Sequence, residues 1–238
     1  MKIALSSDIN NRENMEDVCR YILLRSDTCR FDDVIIASVA DGLGSCEHSF
    51  ETANKTVESL FREAASLFFR TPFADEKVSD AEKTSYLQSW CPQVTRNIRE
   101  QVMAWSPYRN IGTTLSFYVI YKNYALFCSC GDSPVYFVRD DQIELVLPLD
   151  HEKTDHTQLT QCICSGVDIL HPHVETRKLK EGDIILMGSD GAFGKLSLDE
   201  LLLLCRSGAR PLSEAILTAA RKTTNDNQAI VVTLYNES

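Results

Sequence analysis

Apolar and polar positions mark out most elements along the chain. Ile3 and Leu5 alternate with polar neighbours and predict a first strand. A polar loop, Asn10 to Asn14, leads to Met15-Glu16-Asp17, and Cys19–Leu24 predicts a second strand. Asp27 to Asp32 turns the chain. Val34–Ala40 is an unbroken run of β-branched and small apolar residues, the pattern of a strand buried on both faces. From Ser45 or Cys46, the residues Ala53, Val57, Leu60, Phe61, Ala64, Leu67 and Phe68 recur at three- and four-residue steps. They predict a helix through Phe69, stopped at Thr71-Pro72. Residues 73–82 are polar and predict a loop. A weaker helical pattern runs from Thr84 to Trp105, with Cys91-Pro92 either interrupting it or marking its start.

Strands follow in quick succession. Thr113–Tyr121 and Tyr124–Cys130 predict a hairpin about Lys122-Asn123. Gly131-Asp132-Ser133 breaks the chain before Pro134–Arg139, and Asp140-Asp141 turns it into Gln142–Leu147. Residues 148–172 are irregular, with a short helix expected near His156–Cys162. Val174–Leu179 and Ile184–Met187 predict strands. Ser197-x-x-Glu200 is a capping box for a helix through Leu204, and another helix spans Leu212 to Lys222. Ala229–Leu234 is the last strand. Two helices lie between strand groups and two more precede the final strand. That order predicts an α+β fold, packed sheets inside and helices outside, in a single domain over residues 1–238.

The Val34–Ala40 run ends in Asp41-Gly42-Leu43-Gly44, and Asp183–Gly188 is followed by Ser189-Asp190-Gly191. Asp-Gly alone is the commonest hairpin signal. Two such units, each closing a buried strand, suggest carboxylates converging on one cation. A net charge of −10 argues against a nucleic-acid partner and is compatible with a cation site. No apolar run approaches a membrane span, and the start of the chain does not resemble a signal peptide. The nine cysteines are then free thiols in a reduced, cytoplasmic protein. Cys128-x-Cys130 and Cys162-x-Cys164 lack the two-residue gap of a zinc knuckle and read as buried thiols. His171-Pro172-His173 reads as a loop.

Acids fall at strand ends or tight turns at Glu16-Asp17, Asp41, Asp132, Asp190 and Asp226. Their wording and order resemble the metal-dependent protein phosphatase family of the protein phosphatase 2C type. Arg12-x-x-Met15-Glu16-Asp17 resembles its opening R-x-x-[MN]-E-D, and Val39–Gly44 its V-x-D-G-x-G. Gly112-Thr113-Thr114, Gly131-Asp132-Ser133, Asp150-His151, Ser189-Asp190-Gly191 and Asp226-Asn227 match its later motifs in sequence. Each piece is short, but together they span residues 12–232.

The resemblance implies a four-layer α-β-β-α sandwich, two antiparallel sheets flanked by helices, with two Mn²⁺ or Mg²⁺ ions in the cleft. By that likeness Asp41 bridges the ions and Asp190 and Asp226 complete the first. Glu16 and the Gly42 carbonyl serve the second. Arg12 holds the substrate phosphate, and Asp17 orients water. Clustered carboxylates repel one another, and an oxygen-only set suits hard cations. Water between two such ions becomes a hydroxide near neutral pH and attacks phosphorus in line. The implied activity is a serine/threonine protein phosphatase, bacterial in style, opposing a partner kinase or acting on its targets.

The chain departs from the family at three places. Leu43 stands where many members carry a general-acid histidine. Gly194 stands where many carry an aspartate that shares a third metal with Asp132. The segment from Asp132 to Asp190 is short, which implies a reduced flap. The third site is therefore expected to be empty or weak. Gly194→Asp is expected to strengthen it unless Gly194 needs a positive φ. Two readings compete with the phosphatase: a non-catalytic domain of the same fold that binds a regulatory partner, and hydrolysis of a small phosphoester.

Overall fold

The structure is a computed structural model that describes residues 1–25, 33–68, 77–152, 158–167, 169–209 and 211–236. The expected turn at 27–32 and the stop at Thr71-Pro72 lie outside the described residues. Two five-stranded antiparallel sheets pack face to face. The first is built from β1 (Lys2–Asp8), β7 (Val135–Arg139), β8 (Gln142–Leu145), β11 (Ile184–Gly188) and β12 (Gln228–Leu234), in the order β1-β12-β11-β7-β8. The second contains β2 (Asp17–Leu24), β3 (Val34–Asp41), β5 (Leu115–Tyr121), β6 (Tyr124–Cys130) and β10 (His173–Lys178), in the order β10-β6-β5-β3-β2. A two-stranded ribbon joins β4 (Gly112–Thr113) to β9 (Ile163–Cys164).

Burial explains the layers. Ile35, Ala37, Val39, Tyr118 and Phe127 of one sheet meet Phe137, Ile185, Met187 and Val231 of the other. The alternate residues Val34, Ile36, Phe117 and Val119 point outward, under α1 (Ser49–Phe68) and α2 (Asp80–Trp105). β3 thus has both faces covered, which is why its sequence is continuously apolar. On the far side, Leu186, Ile230 and Val232 pack against Leu201, Ile216 and Leu217 of α4 (Leu198–Arg206) and α5 (Leu212–Ala220). Each such fully buried large side chain contributes about 1.5–3 kcal/mol.

Several elements differ from the sequence expectation. α1 starts at Ser49, because residues 44–48 turn and His48 has a φ of 50°. α2 starts at Asp80, where Ser79 and Glu82 form a reciprocal capping box. The expected loop therefore ends sooner. Pro92 lies inside α2 without breaking it. An interior proline costs about 3 kcal/mol, but Trp90, Cys91, Val94 and Ile98 are buried against the sheet. The strand expected over Thr113–Tyr121 is split at Thr114 into β4 and β5. No helix occurs over 158–162; Leu159 bridges His151, and β9 follows. His156 and Thr157 lie outside the described residues. A one-turn helix, α3 (Asp190–Phe193), was not expected.

Candidate metal centre

The antiparallel pairing brings the acids to one end of the sandwich. β2 starts at Asp17, β3 ends at Asp41, and the two residues are direct cross-strand partners. Like charges opposite one another destabilise a sheet, so this pair carries a local cost whenever both members are ionised. β6 ends before the turn bearing Asp132, β11 ends before Asp190, and β12 begins after Asp226. The loop from β1 to β2 carries Arg12 and Glu16 to the same end.

The backbone around Asp41 is clasped from the Gly112-Thr113-Thr114 segment. The Thr114 amide and the Thr113 hydroxyl both donate to the Asp41 carbonyl, at 2.8 Å each. The Asp41 amide donates to Thr114 Oγ1 at 2.9 Å, and the Leu43 amide to the Gly112 carbonyl at 3.0 Å. Those bonds are the physical reason the predicted strand breaks at Thr114. Gly42 is enclosed: a Cβ there would stand 2.7 Å from the Ser49 carbonyl group and 2.8 Å from the Glu16 carbonyl oxygen. Leu43 lies on Gly112, with Cδ1 2.6 Å from where a Cβ on that glycine would be.

Asn227, which carried no role in the sequence reading, ties the first and last motifs together. Its Oδ1 accepts from the Glu16 amide at 2.8 Å and its Nδ2 donates to the Ile9 carbonyl at 3.0 Å. Its own amide donates to Asp226 Oδ1 at 2.8 Å. Ser49 is a second such residue: its hydroxyl donates to Glu16 Oε1. The D-N pair was legible as a motif, but nothing in the chain order signals Ser49.

The acids feel one another. Burial pushes the Asp17 carboxyl up to about 7, with Asp190 and Asp226 adding repulsion and the Ser189 hydroxyl opposing it. Burial, then Asp17, Asp190 and Asp132, hold Asp41 well above the carboxylate range. Burial and Asp190 push Asp132 up to about 6. Asp190 is raised by burial of its carboxyl and by Asp226; it lies on the exposed rim, so water softens that shift. Asp17, Asp41, Asp132, Asp190 and Asp226 therefore form one mutually repelling set. Glu16 stands apart: its carboxylate faces Ser49 and Gly44. Arg12 Nη2 donates to Asp226 Oδ2 at 2.8 Å on the exposed side.

These groups fit a hard divalent cation in chemistry. All side-chain donors are oxygens, and Asp17 Oδ2 is buried with no hydrogen-bond partner. Their present pose is not a finished cage: among the described residues no three acidic, thiol or imidazole groups are set to hold an ion. Local bonds account for this. Asp226 is turned to Arg12, Glu16 to Ser49, and Asp190 Oδ1 accepts from the Gly191 amide at 2.6 Å.

Gly194, where a third-metal aspartate was missed, has a φ of 54° and ψ of −127°. A Cβ there would lie 2.5 Å from Thr223 Oγ1. The condition set on Gly194→Asp is therefore not met: both backbone and space oppose a side chain at this position.

A model of protein phosphatase 2C matches residues 7–230. The chain belongs to the protein phosphatase 2C family. It is accordingly a metal-dependent phosphoprotein phosphatase by family. A putative protein phosphatase 2C-type of Streptococcus pyogenes serotype M6 is 24% identical over 232 residues, covering 87% of this chain and 85% of the relative. The serine/threonine phosphatase of S. agalactiae superposes with a TM-score of 0.74 at 20% identity, over 98% of this chain and 99% of its own. The catalytic domain of the serine/threonine phosphatase PstP, solved with two manganese ions, gives 0.70 at 19% identity, over 97% and 96%. At those identities the two structures establish the α+β double-sheet fold. Among the described residues no helix is long and apolar enough to cross a membrane.

Proposed function

We propose that this chain removes phosphate from phosphoserine and phosphothreonine in a protein substrate, opposing a partner serine/threonine kinase. The observation that supports this most is the convergence of five aspartates with one arginine at the sheet ends, one buried carboxylate oxygen lacking a partner. In this reading Asp41, Asp190 and Asp226 hold one Mn²⁺ or Mg²⁺. Asp41, Glu16 and the Gly42 carbonyl hold a second, and Asp132 lies near a weak third. When bound, the cations supply an activated water and positive charge against the phosphoryl oxygens. Arg12 leaves Asp226 to grip the phosphate with its planar fork. Asp17 Oδ2 accepts a hydrogen bond from water in the cleft and orients it. Leu43 packs on Gly112 and offers no proton, so solvent protonates the leaving serine or threonine oxygen.

The test is turnover of a phosphothreonine peptide and of para-nitrophenyl phosphate. Activity with Mn²⁺ that EDTA abolishes and added Mn²⁺ restores is expected on both. Cleavage of the small ester alone would favour a small-molecule phosphatase. Failure on both, with Mn²⁺ or Mg²⁺, would favour the non-catalytic, partner-binding reading.

Arg12 gives a second expected result. A hydrogen bond to a charged group is worth about 1.5–3 kcal/mol, so Arg12→Ala should lower kcat/KM by roughly 10- to 150-fold. Arg12→Lys should restore only part of this, because a point charge lacks the fork. The Arg12–Asp226 pair is exposed and worth at most about 1 kcal/mol. Mn²⁺ affinity by calorimetry should thus change by no more than about fivefold. Unchanged kinetics would make Arg12 an ordinary solvated loop residue.

A further inference from the structure

The ladder between β1 and β12 ends at the pair Asp8↔Gln228. Beyond it the chain forms the loop bearing Arg12 on one side and the corner bearing Asp226 on the other, and Asn10 carries the join past the end of the ladder. Its Nδ2 donates to the Thr224 carbonyl at 2.9 Å and to the Asp226 carbonyl at 3.1 Å. Its own amide donates to Asp8 Oδ1 at 2.7 Å, and Asp8 Oδ2 pairs with Arg221 at the far side of the corner. The corner is shaped in turn by the Asp226 amide, which donates to Thr224 Oγ1 at 3.1 Å.

Asparagine meets both demands of this place. Residue 10 has a φ of 52°, a left-handed backbone that asparagine tolerates better than most residues with a side chain. Its amide nitrogen also carries two hydrogens for two carbonyls. A flipped amide would set oxygen against oxygen twice, so the partners fix its orientation.

We propose that Asn10 is a positioning residue whose two amide bonds keep the Asp226 corner seated against the Arg12 loop when Arg12 lets go of Asp226. The proposal rests on the phosphatase reading above. Before phosphate arrives, Arg12 joins the two segments itself, through Asp226 Oδ2 at 2.8 Å. Once the guanidinium turns to phosphate and the carboxylate to a cation, that bond is gone. Four ties then remain among the described residues. They are the Asn10 pair, Asn11 Nδ2 on Asn225 Oδ1 at 3.0 Å, Asn227 Nδ2 on the Ile9 carbonyl, and the Arg221–Asp8 ion pair. Of these, only Asn10 bonds to residue 226 itself. Asn10 thus matters little to the metal-free chain, where Arg12 shares the task, and more to the loaded one.

Asn10→Gly separates the two demands, because glycine takes the left-handed backbone freely and has no amide to donate. The corner is half-buried and water can replace the lost donors, so the melting temperature in EDTA should fall by no more than about 4 °C. Loss of an outer partner of a metal ligand costs about 10–100-fold in affinity or activity. Asn10 holds the Asp226 backbone and not its carboxylate, so the lower end applies: the Mn²⁺ dissociation constant by calorimetry should rise about tenfold. KM for para-nitrophenyl phosphate at saturating Mn²⁺ should rise more than kcat falls, because the Arg12 loop shares the tie. Asn11→Ala is the control. It removes one exposed bond from the same loop and should change the Mn²⁺ dissociation constant by no more than about twofold. Wild-type Mn²⁺ affinity in Asn10→Gly overturns the proposal, whatever happens to the melting temperature, since Asn10 would then serve the fold alone. An equal loss in Asn11→Ala overturns it too, because the loop as a whole would then hold the corner. A wild-type chain that binds Mn²⁺ but hydrolyses neither test substrate refutes the phosphatase reading, and the Mn²⁺ comparison then decides the role of Asn10 by itself.

Discussion

Asp41→Asn should abolish turnover of a phosphothreonine peptide at any Mn²⁺ concentration while leaving the stability of the metal-free fold nearly unchanged. Removing an outer partner of a metal ligand already costs about 10–100-fold in affinity or activity. Loss of the proposed bridging carboxylate should exceed that. The metal-free fold should barely feel the change. Burial, then Asp17, Asp190 and Asp132, hold the Asp41 carboxyl in its neutral form. Asparagine then replaces one neutral group by another, and stability in EDTA near neutral pH should change by less than about 1 kcal/mol. Near-normal turnover in the variant would remove Asp41 from the centre. A lowered melting temperature in EDTA would show that the carboxylate holds the fold together instead.

Burial of Asp17, with repulsion from Asp190 and Asp226 behind it, fixes a pH dependence. Asp17 is raised in the folded chain to about 7, above the value near 3.9 of an unfolded aspartate. The folded state then binds more protons than the unfolded state between those values. The metal-free protein should lose stability as pH rises through 7. Asp132→Ala, which removes only the ligand proposed for a weak third site, should cost less activity than Asp190→Ala or Asp226→Ala.

Legibility in the sequence followed physical cause. β3 and β11 were readable because strands covered on both faces must be apolar throughout, and their terminal Asp-Gly steps stood out against that background. The helical face of α1 was readable for the same reason, from Ala53 to Phe68. The start of α2 was hidden because Ser79-x-x-Glu82 lies in a polar stretch that mimics a loop. Pro92 misled because local propensity opposed a helix that burial of Trp90 and Ile98 sustains. The break at Thr114 was invisible, since it depends on hydrogen bonds to Asp41, far away in the chain. The acids that meet at the sheet ends were legible by motif. Their orientation was not: Glu16 turning to Ser49 and Asp226 to Arg12 are tertiary facts.

Gly191→Ala should cost nearly as much function as loss of a proposed ligand, although Gly191 binds nothing. A Cβ on Gly191 would stand 2.0 Å from the Asn227 carbonyl oxygen and 3.0 Å from the Asp226 Cβ. Its backbone has no positive φ, so the obstacle is space alone. The one-turn helix carrying Asp190 and the corner carrying Asp226 touch through this missing side chain. The Gly191 carbonyl also accepts from Gln228 Nε2 at 3.0 Å, fixing the contact. A methyl group must push the two segments apart by about 1.5 Å to reach ordinary packing distance. Overpacking of this kind costs about 1–3 kcal/mol. It would also move Asp190 away from Asp226, and a displacement of about 1 Å in a reacting site can lower rates about 10²-fold. Mn²⁺ affinity by calorimetry and kcat/KM should therefore both fall, and the melting temperature should drop. Gly166→Ala is the control, because a Cβ there meets nothing within 4 Å. It should leave all three measurements unchanged. Wild-type metal affinity in Gly191→Ala would mean that Asp190 and Asp226 need no close approach, and would dissolve the shared site proposed for them.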